Sequence, residues 1–129
     1  MPGARRPHLG QRFAKLVNWK IQGSRMLYDH RYYCVRSGTL GKQLALYEQF
    51  GWEAQRKHLG DPLAFLVTET GNVNSYIHIW KYQDAEDRKR RRTALAADPA
   101  WKSYLEKAAG AGYIISQQTS LLVNAPFFS

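Results

Sequence analysis

Apolar and polar positions follow two rhythms along this chain, one of period two and one of three to four residues. Residues 27–35 hold three Tyr with His30 and Val35 and contain no Gly or Pro, which predicts a strand. Ser37-Gly38 ends it. Over 39–58, apolar groups fall at Leu40, Leu44, Tyr47, Phe50 or Gly51, and Ala54, steps that predict one amphipathic helix. Gly60-Asp61-Pro62 stops that helix, 63–69 predicts a second strand and Thr70-Gly71-Asn72 a turn. Residues 74–82 alternate cleanly: Tyr76, His78, Trp80 and Tyr82 point one way, Ser75, Ile77, Ile79 and Lys81 the other. Asp84 suits a helix N-cap, with Asp87 placed to reach back as in a capping box. That helix runs to Ala97, and Asp98-Pro99 restarts it with Asp as cap and Pro where its missing N–H costs nothing. Trp101, Tyr104 or Leu105, and Ala108 line its inner face, Gly110 and Gly112 end it, and 113–123 predicts the last strand.

The order β-α-β-β-α-β predicts an α+β, ferredoxin-like fold: a four-stranded antiparallel sheet with its helices on one face. The other face then needs cover. A homodimer in which two sheets face each other is the expected solution, burying well over the ~1,000 Å² of a specific interface.

Composition narrows the classes. The chain has 129 residues, the length of one domain, with 44% apolar and 22% charged residues. No apolar run is long enough to span a membrane. A single cysteine, Cys34, excludes an internal disulfide framework, and it is expected to be an inert buried thiol. The net charge of +9 suggests nucleic acid until its distribution is considered. Arg5, Arg6, Arg12, Lys15, Lys20 and Arg25 all lie in the first 25 residues, where there is no acid. The remaining chain is only slightly basic, and no nucleic-acid partner is expected. Residues 1–25 therefore read as a basic leader outside a domain at 26–129. Leu9, Phe13, Leu16 and Val17 are its only periodic apolar positions. The expected location is cytoplasmic, or the mitochondrial matrix if the leader is a transit peptide.

Residues 26–129 resemble the NIPSNAP domain family, a branch of the dimeric α/β barrel superfamily. The resemblance is carried by Met26-Leu27-Tyr28-Asp29 with Arg31 and Tyr33, by Gly38, and by Glu69-x-Gly71 at the hairpin. It continues through His78-Ile79-Trp80-Lys81-Tyr82, Asp87-Arg88, Asp98-Pro99-Ala100-Trp101, and Leu121-Leu122 with Pro126-Phe127. His30 and Tyr32 depart from the family pattern, where Leu and a small Thr are usual. The resemblance implies a dimeric α/β barrel. It implies little about activity, because the wider superfamily includes cofactor-free monooxygenases, haem-degrading enzymes and ligand-binding regulators.

Several residues are candidates for chemistry, each with a plainer reading beside it. His78 can serve as general base, haem ligand or substrate hydrogen-bonder, or simply satisfy a buried hydrogen bond; Trp80 offers a flat wall or plain core packing. Arg31 and Tyr33 share a face with Asp29, so Arg31 either pairs with Asp29 or Glu69 or meets an anion. The cations Arg88 to Arg92 cannot form one helical stripe, and Arg88 and Arg91, seven and four positions before Leu95, are expected on the inner side. His30, His58 and His78 promise no metal site by spacing. No glycine-rich phosphate loop is present, and no cofactor is expected. The leading expectation is a homodimer with a pocket beside each sheet for a small apolar or aromatic ligand, lined by His78, Trp80, Tyr82, Arg31, Tyr33 and Arg88. The alternatives are a cofactor-free monooxygenase or haem-oxidising enzyme on the same scaffold, and a protein–protein adaptor.

Overall fold

A computed structural model of the chain describes residues 25–128. The expectation for the leader thus lies, apart from Arg25, outside the described residues. The elements are β1 (Leu27–Val35), α1 (Leu40–Phe50), α2 (Trp52–Leu59), β2 (Ala64–Val67), β3 (Ser75–Tyr82), α3 (Ala85–Ala97), α4 (Pro99–Ala111) and β4 (Ile114–Leu122). The sheet order is β2-β3-β1-β4, every pair antiparallel, the ferredoxin-like arrangement. The register sets Arg31 opposite His78, Tyr33 opposite Tyr76 and Asp29 opposite Trp80.

Four local features bear on the sequence reading. The single helix expected over 39–58 is two helices broken at Gly51. A Cβ at Gly51 would lie 3.0 Å from Tyr104 Cγ and 3.1 Å from Tyr47 Cδ2, so only a residue without one lets α4 come this close. Asp84 caps α3 by accepting from the Asp87 N–H at 2.8 Å, and Asp87 reaches back past the cap to the Gln83 N–H at 3.0 Å. Asp98 caps α4 through the Ala100 N–H at 2.8 Å, with Pro99 in the first turn. Gly110 lies inside α4, and only Gly112, in the left-handed region at φ 64°, ends it.

All the helices cover the face that carries Tyr76, His78, Trp80 and Tyr82. At one end of that layer Trp80, Tyr82, Leu59, Leu95 and Ala54 form a packed apolar core, with Leu27, Trp52 and Trp101 against it. The opposite face, with Tyr28, His30, Tyr32, Ile77, Ile79, Leu66 and Leu122, carries none of the helices among the described residues. Cys34 stands on that face, half-buried rather than sealed in the core, with Asn72 Nδ2 at 3.6 Å. His30 also lies there, so the sheet separates it from His78. Among the described residues no three His, Cys, Asp or Glu side chains gather as a metal site, and no helix is long and apolar enough to cross a membrane.

Candidate functional site

Beyond the apolar core, the space between sheet and helices opens into a cavity of about 220 Å³. Its floor is strand-borne: Arg31 and Tyr33 from β1, Tyr76 and His78 from β3, with Ile114 and Gln117 from β4 at the side. Its roof is helical: Tyr47 from α1, Gln55 from α2, Arg92 from α3, and Trp101, Tyr104, Leu105 and Ala108 from α4.

Cross-strand spacing organises the floor. Neighbouring strands run about 4.8 Å apart, the distance at which aromatic side chains on facing positions stack. Tyr33 stacks on Tyr76 at 4.8 Å and on His78 at 5.0 Å, both with planes 8° apart. Phe65 stacks on the far side of His78 at 4.9 Å and 12°. With ring faces turned to one another, edges and polar tips are left for the cavity.

The arginines of this site compete for one acid. Asp29 is fully buried and accepts from Arg31 Nε at 3.0 Å and from Arg88 Nε at 3.1 Å. Burial opposes the charge on Arg31, but Asp29 and the Tyr33 hydroxyl outweigh it and hold the guanidinium above its ordinary range. Arg92 is half-buried and has no carboxylate within 4.0 Å among the described residues. Burial, followed by the like charge of Arg31, pulls its pKa down. In the rest of the basic run Lys89 is exposed, Arg90 and Arg91 pair with Asp87, and Arg91 also donates to the Leu59 carbonyl at 3.1 Å.

His78 is fixed from behind. The Trp80 indole N–H donates to His78 Nδ1. An indole nitrogen only donates, so Nδ1 must accept, and in the neutral ring the proton sits on Nε2. Burial is the main cause, and nearby Arg31 the second, of a His78 pKa lowered to about 3. At neutral pH this imidazole is an uncharged hydrogen-bond donor. Service as a general base or as an Nε2 metal ligand would require the other tautomer and the loss of the Trp80 bond.

Two amides brace the tyrosines. Gln43, fully buried, donates from Nε2 to Tyr104 Oη at 3.0 Å and Tyr76 Oη at 3.3 Å. The Tyr47 hydroxyl donates to Gln55 Oε1, which occupies that acceptor. Burial raises the pKa of Tyr47, Tyr76 and Tyr104, the last to about 12, so all three keep their protons.

Of the residues expected at the site, His78, Arg31 and Tyr33 line the cavity together. Trp80 and Tyr82 stand behind it in the apolar core, and Arg88 reaches Asp29 rather than the cavity. Arg92, Tyr47, Gln55, Tyr76, Trp101 and Tyr104 are lining residues that the sequence reading did not single out for chemistry. Arg92 was findable: it is four residues after Arg88 and therefore on the same side of the helix.

Known proteins resemble this chain over its described domain. A protein-family model described as NIPSNAP matches residues 28–129. A NipSnap homolog of Dictyostelium discoideum is 32% identical over 95 residues, which cover 74% of this chain and 41% of that protein, so the chain spans about two fifths of that curated relative. A crystal structure of a NIPSNAP family protein from Agrobacterium tumefaciens superposes with a TM-score of 0.72 at 32% identity, covering 79% of this chain and 90% of the other. A NIPSNAP-like domain protein from Burkholderia xenovorans gives 0.73 at 30% identity, covering 82% and 90%. A putative antibiotic biosynthesis monooxygenase from Nitrosomonas europaea, 9% identical, shares the fold alone at a TM-score of 0.56 over 78% of this chain and 91% of that one.

Proposed function

The chain belongs to the NIPSNAP family, and from that premise we propose that it works as a homodimeric small-molecule-binding domain, each subunit holding one ligand between its sheet and its helices. The cavity is the observation that carries this reading. A packed domain fills its interior to crystal-like density, and here a space of about 220 Å³ persists beside the core. It is lined by aromatic and aliphatic groups with a few convergent polar ones, the usual composition of a ligand site. Its size suits a small, single-ring compound.

The dimer completes the sheet. Ile77, Ile79, Tyr28 and Tyr32 are only half-buried on the face without helices, and Leu66 and Leu122 on that face are about half exposed. A second copy laid on this face would cover the strip and leave each cavity on the far side of its own sheet.

An oxygenase that dispenses with cofactors needs a group to take a proton from its substrate. His78 is poorly placed for that, because its only lone pair in the plane of the ring is engaged by Trp80. Native mass spectrometry of freshly purified protein tests the reading directly. The expected spectrum is a dimer, with retained small-molecule mass released on denaturation. A monomer, together with failure of any small organic compound to bind in a calorimetric screen, would overturn it.

A further inference from the structure

We infer that the ligand of this cavity is an organic anion, a small monocarboxylate with an aromatic or aliphatic body, and that Arg92 and Arg31 receive its carboxylate. The inference rests on the cavity being a binding site and goes beyond that by naming the chemical class of the occupant.

The cavity walls offer positive charge and hydrogen-bond donors. Two guanidinium groups, Arg31 and Arg92, line one cavity, and no carboxylate lines it with them. The nearest acid, Asp29, already accepts from Arg31 and from Arg88. Arg92 has no acid within 4.0 Å among the described residues. A guanidinium withdrawn from water without a counter-charge is costly, and a bound anion removes that cost.

The neutral groups agree in sign. His78 presents an Nε2–H donor, because Nδ1 is taken by Trp80. Tyr76 and Tyr104 accept from Gln43, which leaves their own hydroxyl protons to give. The Gln55 carbonyl oxygen already accepts from the Tyr47 hydroxyl. The stacked rings of Tyr33, Tyr76 and His78 spend their electron-rich faces on one another and present edges, which are the positive part of an aromatic ring. Donors and positive edges dominate, so the matching ligand supplies acceptors.

Charge and shape select a carboxylate. Asp29 is shared between Arg31 and Arg88 and offsets only part of the Arg31 charge, and His78 is uncharged, so the cavity keeps a net positive charge. The planar fork of arginine matches a carboxylate in two-point contact. Trp101, Leu105, Ala108 and Ile114 form the apolar remainder of the lining and suit the body of the acid.

The test pairs each acid with its neutral isostere: benzoate with benzamide, phenylacetate with phenylacetamide, and cinnamate with cinnamamide, by isothermal titration calorimetry on the full chain. At least one acid should bind about tenfold or more tighter than its amide, the scale of one charge-assisted contact. Arg92→Gln should abolish that preference, and Arg92→Lys should keep part of it. Lys89→Gln, an equal charge change at an exposed position of the same helix, should leave it intact. Circular dichroism checks that each variant folds, and the acid–amide comparison on the unmodified protein stands whether or not the variants do. Equal affinity for acid and amide, or an Arg92→Gln loss that is the same for both, overturns the anion inference and leaves the cavity reading standing. If no member of any pair binds, the anion inference falls, and the cavity reading is decided by the native mass spectrum and the wider calorimetric screen.

Discussion

Trp80 holds His78 in one tautomer: the indole N–H of Trp80 occupies Nδ1, and the two rings meet edge to face at 90° with centroids 5.6 Å apart. The two residues sit two apart on β3 and share its inner face, yet their environments differ. Trp80 is wholly buried in apolar core, while His78 borders the cavity. Indole and imidazole therefore act as anchor and donor.

Acid should weaken the fold through this ring. The His78 pKa is lowered from 6.5 to about 3 on folding, so below pH 6.5 the unfolded chain takes up a proton that the folded chain refuses. Stability present at neutral pH is lost as the pH falls from 6.5 toward 3, about 2 kcal/mol of it by about pH 5. Asp87 and Asp98, both held below the usual carboxylate range, stay ionised in that upper window. Urea titrations at a series of pH values should show this slope in the natural protein and not in His78→Gln. Equal slopes would mean that His78 titrates normally.

Asp29 is the common acceptor of Arg31 and Arg88, so its neutralisation should be expensive. Asp29→Asn leaves two guanidinium groups on a fully buried amide and should cost about 3–5 kcal/mol by denaturant unfolding. Removing both partners of the inner pair, as Asp29→Leu with Arg31→Met, should recover much of the loss. A cost below about 1 kcal/mol for the single change would contradict the arrangement.

The break between α1 and α2 offers a contrast of two glycines. Gly51→Ala would push a methyl group against Tyr104 and Tyr47 and should destabilise by about 1–3 kcal/mol. Gly110→Ala, inside α4 with nothing within 4 Å of the added carbon, should stabilise by about 0.5–1 kcal/mol. Thermal melts of the two variants should move in opposite directions.

The dimer is checked on the sheet face without helices. Ile79→Glu places a charge at its middle and should give a folded monomer in sedimentation velocity, while the unaltered chain sediments as a dimer at micromolar concentration. A monomeric unaltered chain would remove the dimer from the proposal.

The strands could be read from the sequence because a sheet with two unlike faces writes period two into its residues, as Tyr76 to Tyr82 do. Asp84, Asp98 and Pro99 marked the helix starts because capping chemistry is local. The break at Gly51 was hidden: helical spacing continues across it, and the ring of Tyr104 that packs against it is distant in sequence. At the site, Arg31, Tyr33 and His78 were found because strand alternation and the neighbouring of β1 and β3 place them together. Trp80 shares their face but not their cavity, since the helices close over one end of the layer and not the other. The tautomer of His78, and the lack of an acid beside Arg92 among the described residues, depend on contacts that no spacing rule encodes.

The order β2-β3-β1-β4 also bears on how the chain is made. The strand synthesised first among these, β1, sits inside the sheet, and its ladder on one side is completed only by the strand synthesised last. At a translation rate of ~5–20 residues per second, β1 waits on the order of ten seconds for Ile114–Leu122 to emerge from the ribosome. During that interval the growing polypeptide carries Leu27–Val35 and its three tyrosines with at least one bare edge. Slower growth temperatures, which lengthen the interval but weaken hydrophobic self-association, and chaperones that mask extended segments should therefore govern the soluble yield of this protein more than the stability of the finished fold does.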